Sequence, residues 1–160
     1  GHVSASLDSD VWKIAAFDRI HETNKHSIGF LENFGADIGA FASTWSFHEN
    51  NLIVLGSNDS DMAIASNHLI KNQGGLVVVK SGKILASLPL QFGGIISTDS
   101  FETVSSNFEK INNTIMDLGC KFTRPHLIPL FLPFLALPSV RILASGIVDV
   151  KKRSYISPIN

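Results

Sequence analysis

The densest cluster of polar side chains occupies residues 47–51, Phe-His-Glu-Asn-Asn, directly before an apolar run. An imidazole beside a carboxylate can accept and return a proton, so His48 and Glu49 are candidate catalytic residues. Loops at strand ends often carry active sites, which favours a functional role for this segment. The alternative is a solvated turn in which Asn50 and Asn51 bond to the local backbone.

Further polar residues are candidates for contact with a substrate or with a neighbouring domain. A second cluster, residues 58–61, could recognise a base or a cation, but the same residue types cap helices without any ligand. The candidates for substrate or interface contact are His21, Asn51, Asn58, Asp59 and Asp61.

The sequence predicts no metal site and no nucleophile within this chain. None of the six histidines forms a pair with the spacing of a preformed metal clamp, and His48-Glu49 lacks the second histidine of a zinc-protease helix. A G-x-S-x-G elbow is absent, and Cys120 has no catalytic partner near it in sequence. The polar clusters would therefore have to act on chemistry supplied from elsewhere.

Size and charge limit the classes of function. A chain of 160 residues can form one packed core but is too short for a (β/α)8 barrel, which needs about 200 residues or more. With 13 basic and 14 acidic residues, it has no electrostatic footprint for nucleic acid or a membrane surface. A single cysteine and the lack of a long apolar run favour a cytoplasmic protein.

The elements that must position these residues are alternating strands and helices. Apolar runs predict strands at residues 11–17, 39–46, 52–55, 76–79, 83–88, 146–150 and 154–156. Helices are expected from Asp59, and from Phe101 to Leu118 with a capping box of Asp99 and Glu102. Residues 20–35 are expected to form a long loop. This order predicts an α/β or α+β fold: one layered domain, with a mixed sheet and two main helices packed on it.

The chain is also expected to be a fragment of a longer protein. It begins Gly1-His2 without methionine, so residues 1–10 are interpreted as a tag remnant or disordered start, and residues 11–160 as the domain.

An ordered set of landmarks gives the chain a family resemblance. Asp18-Arg19 opens the set and Leu118-Gly119-Cys120 closes it. Between them lie Gly-Phe-x-x-x-Phe-Gly at residues 29–35, Gly-Ala-x-Ala-Ser at 39–43, Leu-Gly-Ser-Asn-Asp at 55–59, Gly-Gly-x-Val-Val-Val at 74–79 and Leu-Pro-Leu at 88–90. Together they resemble the C-terminal domain of adenine deaminase, a metal-dependent enzyme of the amidohydrolase superfamily.

The resemblance implies that the chemistry lies outside this chain. In that family a metal-activated water converts adenine to hypoxanthine and ammonia, and the metal, manganese or iron, is bound in a barrel domain that precedes this segment. The implied partner is that N-terminal barrel of the same polypeptide. Ile20 and Phe47 stand where the family has histidines, so two proton-exchanging groups are replaced by apolar ones.

Three hypotheses follow from the sequence. The first is a C-terminal domain that is inactive alone and supports or caps the purine site of the barrel. The second is a free-standing binding or homo-oligomerisation module that pairs through the apolar residues 127–137. The third is a small complete hydrolase that uses His48 and Glu49.

Overall fold

The computed structural model describes residues 10–21 and 23–156, which contain nine strands and three helices. The strands are β1 (Val11–Phe17), β2 (His26–Glu32), β3 (Ala40–Ser43), β4 (Leu52–Gly56), β5 (Gly75–Lys80), β6 (Lys83–Pro89), β7 (Val140–Leu143), β8 (Gly146–Asp149) and β9 (Ser154–Ile156). The helices are α1 (Asp59–Lys71), α2 (Phe101–Asp117) and the single turn α3 (Ile128–Phe131), which follows a 3-10 turn at Pro125–Leu127. The predicted tag or disordered start falls, except for Asp10, outside the described residues.

Six strands form the main sheet, in the order β2-β1-β4-β3-β5-β6. The predicted single layered domain is confirmed in its α+β form, but the mixed sheet that we expected is antiparallel in every pairing. Helix α1 does join two strands that point the same way, β4 and β5. Because β3 lies between them and pairs with both, no two neighbours are parallel.

Both faces of the sheet are covered, so the domain has three layers. Leu52 and Val54 of β4 pack into the core on the α1 side, whereas Ile53 and Leu55 pack into the core beneath α2. This alternation explains why β4 is a continuous apolar run, since a strand buried on both faces has no polar side. Helix α2 contributes Ile111 and Ile115, both fully buried, to the larger core.

The predicted long loop at residues 20–35 is wrong, because β2 lies within it. Strand β2 is an edge strand that is only partly buried, so polar residues at its exposed positions obscured the period-two pattern. It packs on the small sheet β7-β8-β9, where Gly29 lies so close to Ile147 that an added Cβ would be 2.9 Å from its Cδ1 atom. The glycine therefore allows the two sheets to approach.

The apolar segment 127–137 folds largely onto the rest of the molecule. Pro129, Leu130 and Pro133 are buried, and Ile128 and Leu132 pack against the larger core. Leu135 and Ala136 remain exposed and the other residues of the segment are half-buried, so the hypothesis of an assembly module stays a prediction. Within the described residues, no helix has the length and apolar character needed to cross a membrane.

The helix starts follow capping chemistry. The predicted start of α1 is confirmed, and Asn58 caps it by accepting a hydrogen bond from the backbone N–H of Asp61. Helix α2 is capped by Ser100, one residue later than the predicted box, through the N–H of Thr103.

Asp61 is a buried carboxylate whose bonds join α1 to the turn between β5 and β6. It is 2% exposed and accepts hydrogen bonds from the backbone N–H groups of Ser81 at 2.8 Å and Gly82 at 2.7 Å. Gly39 passes directly over it, where any Cβ would overlap the carboxylate. Asp61 therefore stabilises the α1 face of the domain.

Replacing Asp61 with alanine is expected to lower the free energy of unfolding by about 3 kcal/mol, because two N–H groups lose a charged acceptor. The control is Asp59→Ala, which breaks the exposed ion pair with Lys13 and should cost less than about 1 kcal/mol. Urea unfolding followed by tryptophan fluorescence measures both. Equal losses in the two variants would contradict this role of Asp61.

A half-buried histidine joins α2 to the 3-10 turn. His126 lies between Trp45, stacked at 6.0 Å, and Phe108, tilted at 5.3 Å, and its Nδ1 atom is 2.6 Å from Oδ1 of Asn112. Burial first, and the positive charge of Arg124 second, lower the pKa of His126. The pKa of His68 is lowered in the same way, by burial and by Lys71. The fold therefore favours both imidazoles in their neutral form.

Stability is expected to fall as the pH drops below about 6.5, the ordinary histidine pKa. Below that pH the two histidines bind protons in the unfolded chain more readily than in the folded protein, so protonation favours unfolding. Above it both histidines are neutral in either state, and their contribution to the free energy of unfolding is fully present. In His126→Gln, the free energy of unfolding measured in urea should fall less between pH 7.5 and 5.5 than in the unsubstituted chain. His26→Ala, at an exposed position, is the control. If the free energy of unfolding falls as steeply with pH in His126→Gln as in the unsubstituted chain, His126 is not the cause of the loss.

Candidate functional site

The predicted site residues divide between opposite ends of the sheet. Phe17, at the end of β1, pairs with Leu52, whereas Lys13 pairs with Gly56 at the other end of β4. His21, His48, Glu49 and Asn51 therefore lie near the first end, which we call the loop end, and Asn58, Asp59 and Asp61 lie near the second. Five residues of strand separate the ends by roughly 13 Å. The predicted residues do not form one site.

At the loop end, three of the candidates meet in one cavity, which we call the corner cavity. It has a volume of about 220 Å³. Its lining residues are Asp18, His21, Thr23, Lys25, Glu49, Asn51, Leu143, Ala144 and Ser145. His21, Glu49 and Asn51 are thus brought together although about 30 residues separate the first from the others, because β1 and β4 are neighbours in the sheet. His48 is exposed and is not part of the lining.

Asp18 organises the turn that forms one wall of the cavity. Its Oδ1 atom accepts hydrogen bonds from the backbone N–H groups of Ile20 and His21, both at 3.1 Å, and lies 3.3 Å from Nδ1 of His21. Oδ2 accepts from the hydroxyl of Thr23. The Thr23 hydroxyl and these backbone N–H groups hold the pKa of Asp18 far below its usual range. Asp18 is therefore ionised and acts as an acceptor only.

Arg19, the next residue, fastens two other loops at the same end. Its Nε donates to the carbonyl oxygen of Asn50 at 2.7 Å, and its Nη2 donates to that of Gly93. Thr44 extends the network, since its hydroxyl donates to the carbonyl of Gly94 at 2.7 Å. Burial lowers the pKa of Arg19, but a guanidinium remains charged at any physiological pH. The segment that carries Glu49 and Asn51 is thus fixed by bonds to a residue far away in sequence.

The glycine pair that follows β6 is required for this arrangement. Gly93 and Gly94 have φ angles of 63° and 74°, in the left-handed region that favours glycine. A Cβ on Gly94 would lie 2.2 Å from Nη2 of Arg19. The backbone can approach the guanidinium only because no side chain intervenes.

The two predicted catalytic residues lie in different surroundings, since Glu49 lines the corner cavity and His48 is exposed. Among the described residues, no hydrogen bond joins His48 to Glu49; the contact of His48 is a bond from its backbone N–H to the Ser46 hydroxyl at 3.4 Å. Phe47 packs on Phe131 and Phe134, with ring centroids 5.6 and 5.2 Å away. Phe47 thus contributes to packing, and an acid–base role for His48 and Glu49 stays a prediction.

The residues at the opposite end of β4 are used by the fold. Asn58 caps α1, Asp59 pairs with Lys13, and Asp61 accepts from the β5–β6 turn. Since these bonds occupy their polar groups, the helix-capping interpretation accounts for the cluster. Their assignment to a substrate or an interface stays a prediction.

Sequence reasoning missed three residues of the loop end as site residues: Asp18, Arg19 and Thr23. A signal was present, because an aspartate followed closely by polar residues and a threonine is typical of a turn in which the carboxylate accepts from the backbone. The reach of Arg19 to Gly93 had no sequence signal, since it depends on strand order.

The described residues offer no cluster of metal ligands. Nowhere among them do three or more histidine, cysteine, aspartate or glutamate side chains meet in a group that could hold a metal ion. The corner cavity instead offers a fixed carboxylate, an exposed imidazole and the polar side chains of Glu49 and Asn51. Such groups can bind and orient a polar molecule.

Comparison with known proteins agrees with the landmarks in the sequence. The family model of the adenine deaminase C-terminal domain matches residues 1–154. An adenine deaminase of Cenarchaeum symbiosum is 59% identical over 159 residues, which is 99% of this chain and 26% of that protein. Adenine deaminases of Clostridium botulinum (strain Langeland) and Brucella abortus (strain 2308) are each 37% identical, over 97% and 96% of this chain and 26% of each relative.

The chain spans about a quarter of the length of these curated relatives. The match to the family model covers nearly all of it, including β1 to β8 and both long helices. The chain therefore belongs to the adenine deaminase C-terminal domain family.

Proposed function

We propose that this chain works as the C-terminal domain of an adenine deaminase, in which an N-terminal metal-dependent barrel of the same polypeptide converts adenine to hypoxanthine and ammonia. The relatives that carry the name are about four times as long as the chain, which leaves ample length for a barrel. The single cysteine suits a reducing compartment, so we place the enzyme in the cytoplasm.

The observation that carries the proposal is the corner cavity. Its polar groups come from separate loops that Asp18 and Arg19 hold in place, yet the described residues supply no metal site beside them. A fixed set of hydrogen-bonding groups without a reaction centre is what a supporting layer over another domain's site requires. We propose that the loop end faces the purine site and helps to orient the base and exclude water.

The manganese or iron that the resemblance implies does not fit the residues of this chain, because the required cluster of ligands is absent from its described part. We therefore assign the metal to the barrel. The contribution of this domain is binding energy and orientation, supplied by Glu49, Asn51 and the Asp18 turn.

The full-length polypeptide with added manganese is expected to release ammonia from adenine, whereas the 160-residue chain alone should show no turnover. In the full-length protein, Glu49→Gln should lower kcat/KM about tenfold or more, because it weakens one orienting contact. Glu109→Gln, an exposed position on α2, is the matched control and should leave kcat/KM unchanged. Ammonia release coupled to an optical assay measures all four proteins.

Two results would contradict the proposal. Turnover by the 160-residue chain would place the reaction centre within it. Equal kcat/KM for Glu49→Gln and Glu109→Gln would remove the corner cavity from the purine site.

A further inference from the structure

We infer that His21 selects a free purine base, by accepting a hydrogen bond at Nε2 from a ring N–H of the base, and that Asp18 is the positioning residue that makes Nε2 the acceptor. The inference rests on the proposed function and deepens it. It stands on the juxtaposition of an exposed imidazole and an anchored carboxylate at the rim of the corner cavity.

His21 is bonded through its backbone and one ring nitrogen, while the rest of its ring is exposed. Its backbone N–H and its Nδ1 atom both face Oδ1 of Asp18, at 3.1 and 3.3 Å, while 74% of its side chain is exposed. His126, by contrast, is half-buried between two aromatic rings. The ring of His21 is oriented yet uncovered within the described residues.

The carboxylate determines which ring nitrogen carries the proton. Asp18 is ionised and can only accept, so the neutral imidazole places its proton on Nδ1 and leaves a lone pair on Nε2. Thr23 reinforces this by binding Oδ2, which keeps Oδ1 turned toward His21. His21 therefore presents an acceptor at the rim of the corner cavity.

An acceptor at this point distinguishes free bases from nucleosides. Adenine carries one N–H on its five-membered ring, whereas an N9-substituted purine has none there. A site with an acceptor in place binds the free base and leaves that acceptor unpaired with the substituted purine. Glu49 and Asn51 line the same cavity, where they are available to other polar edges of the base.

Removing the imidazole should leave the turn intact. Ile20, the backbone of His21 and Thr23 all continue to bond to Asp18 without the ring. A variant of similar bulk, His21→Leu, therefore removes the acceptor without opening space for a substituent at N9.

The test measures equilibrium binding of adenine and 9-methyladenine to the metal-free full-length protein by calorimetry, at pH 8 where an ordinary imidazole is neutral. We expect the unsubstituted protein to prefer adenine about tenfold or more, and His21→Leu to lose that preference through weaker binding of adenine alone. His21→Gln, whose amide oxygen can accept a hydrogen bond, should recover part of the preference for adenine over 9-methyladenine. His26→Ala is the matched control and should behave as the unsubstituted protein.

A second measurement tests whether Asp18 determines the tautomer of His21. Nitrogen-15 NMR of the 160-residue chain should show the Nδ1–H tautomer for His21, and Asp18→Ala should shift it toward the Nε2–H form that predominates in water. An Nε2–H tautomer in the unsubstituted chain, or an unchanged adenine preference in His21→Leu, would overturn the inference. A preference that depends on His21 in a protein that releases no ammonia from adenine would instead refute the proposed deamination and leave the binding role standing.

Discussion

The loop end depends on two adjacent residues with opposite charges that act on different loops. Asp18 folds its own turn back on itself, and Arg19 reaches the carbonyl oxygens of Asn50 and Gly93. Strand β1 sits beside the centre of the sheet, so a single dipeptide at its end can fix loops from β3–β4 and from beyond β6. Each loop alone would have many conformations. Bonds between residues far apart in sequence select one of them, so the local sequence of a loop does not determine its geometry.

The rest of the domain is a scaffold for that end. Its sheet is covered on both faces, and the polar cluster at the opposite end of β4 is engaged in capping and in bonds to the β5–β6 turn. The buried Asp61 illustrates the difference between the two ends, since its bonds all go to the chain itself. At the loop end, by contrast, the imidazole of His21 is anchored on one side and open on the other. This asymmetry is why we propose the loop end as the binding surface.

Much of the fold could be predicted because its signals are local. The three- and four-residue spacing of α2 and the doubly buried run of β4 each determine an element from neighbouring residues. Strand β2 was missed because an edge strand is half-polar and its partner surface, the small sheet, lies more than 100 residues away. The antiparallel order escaped prediction for a similar reason, since it depends on β3 inserting between β4 and β5. Three of the predicted candidates, His21, Glu49 and Asn51, do line one cavity, whereas the bonds of Asp18 and Arg19 beside them could not be predicted without the topology.

We propose that the loop end, and not another face of the domain, meets the rest of the polypeptide at its purine site. Hydrogen–deuterium exchange, compared between the 160-residue chain and the full-length protein with and without adenine, tests it most directly. Amides of His21, Thr23 and Asn51 should exchange more slowly in the full-length protein and more slowly again with adenine. The exposed surface of α2 should not change. Protection confined to α2 or to β9, with the loop end unaffected, would contradict the account.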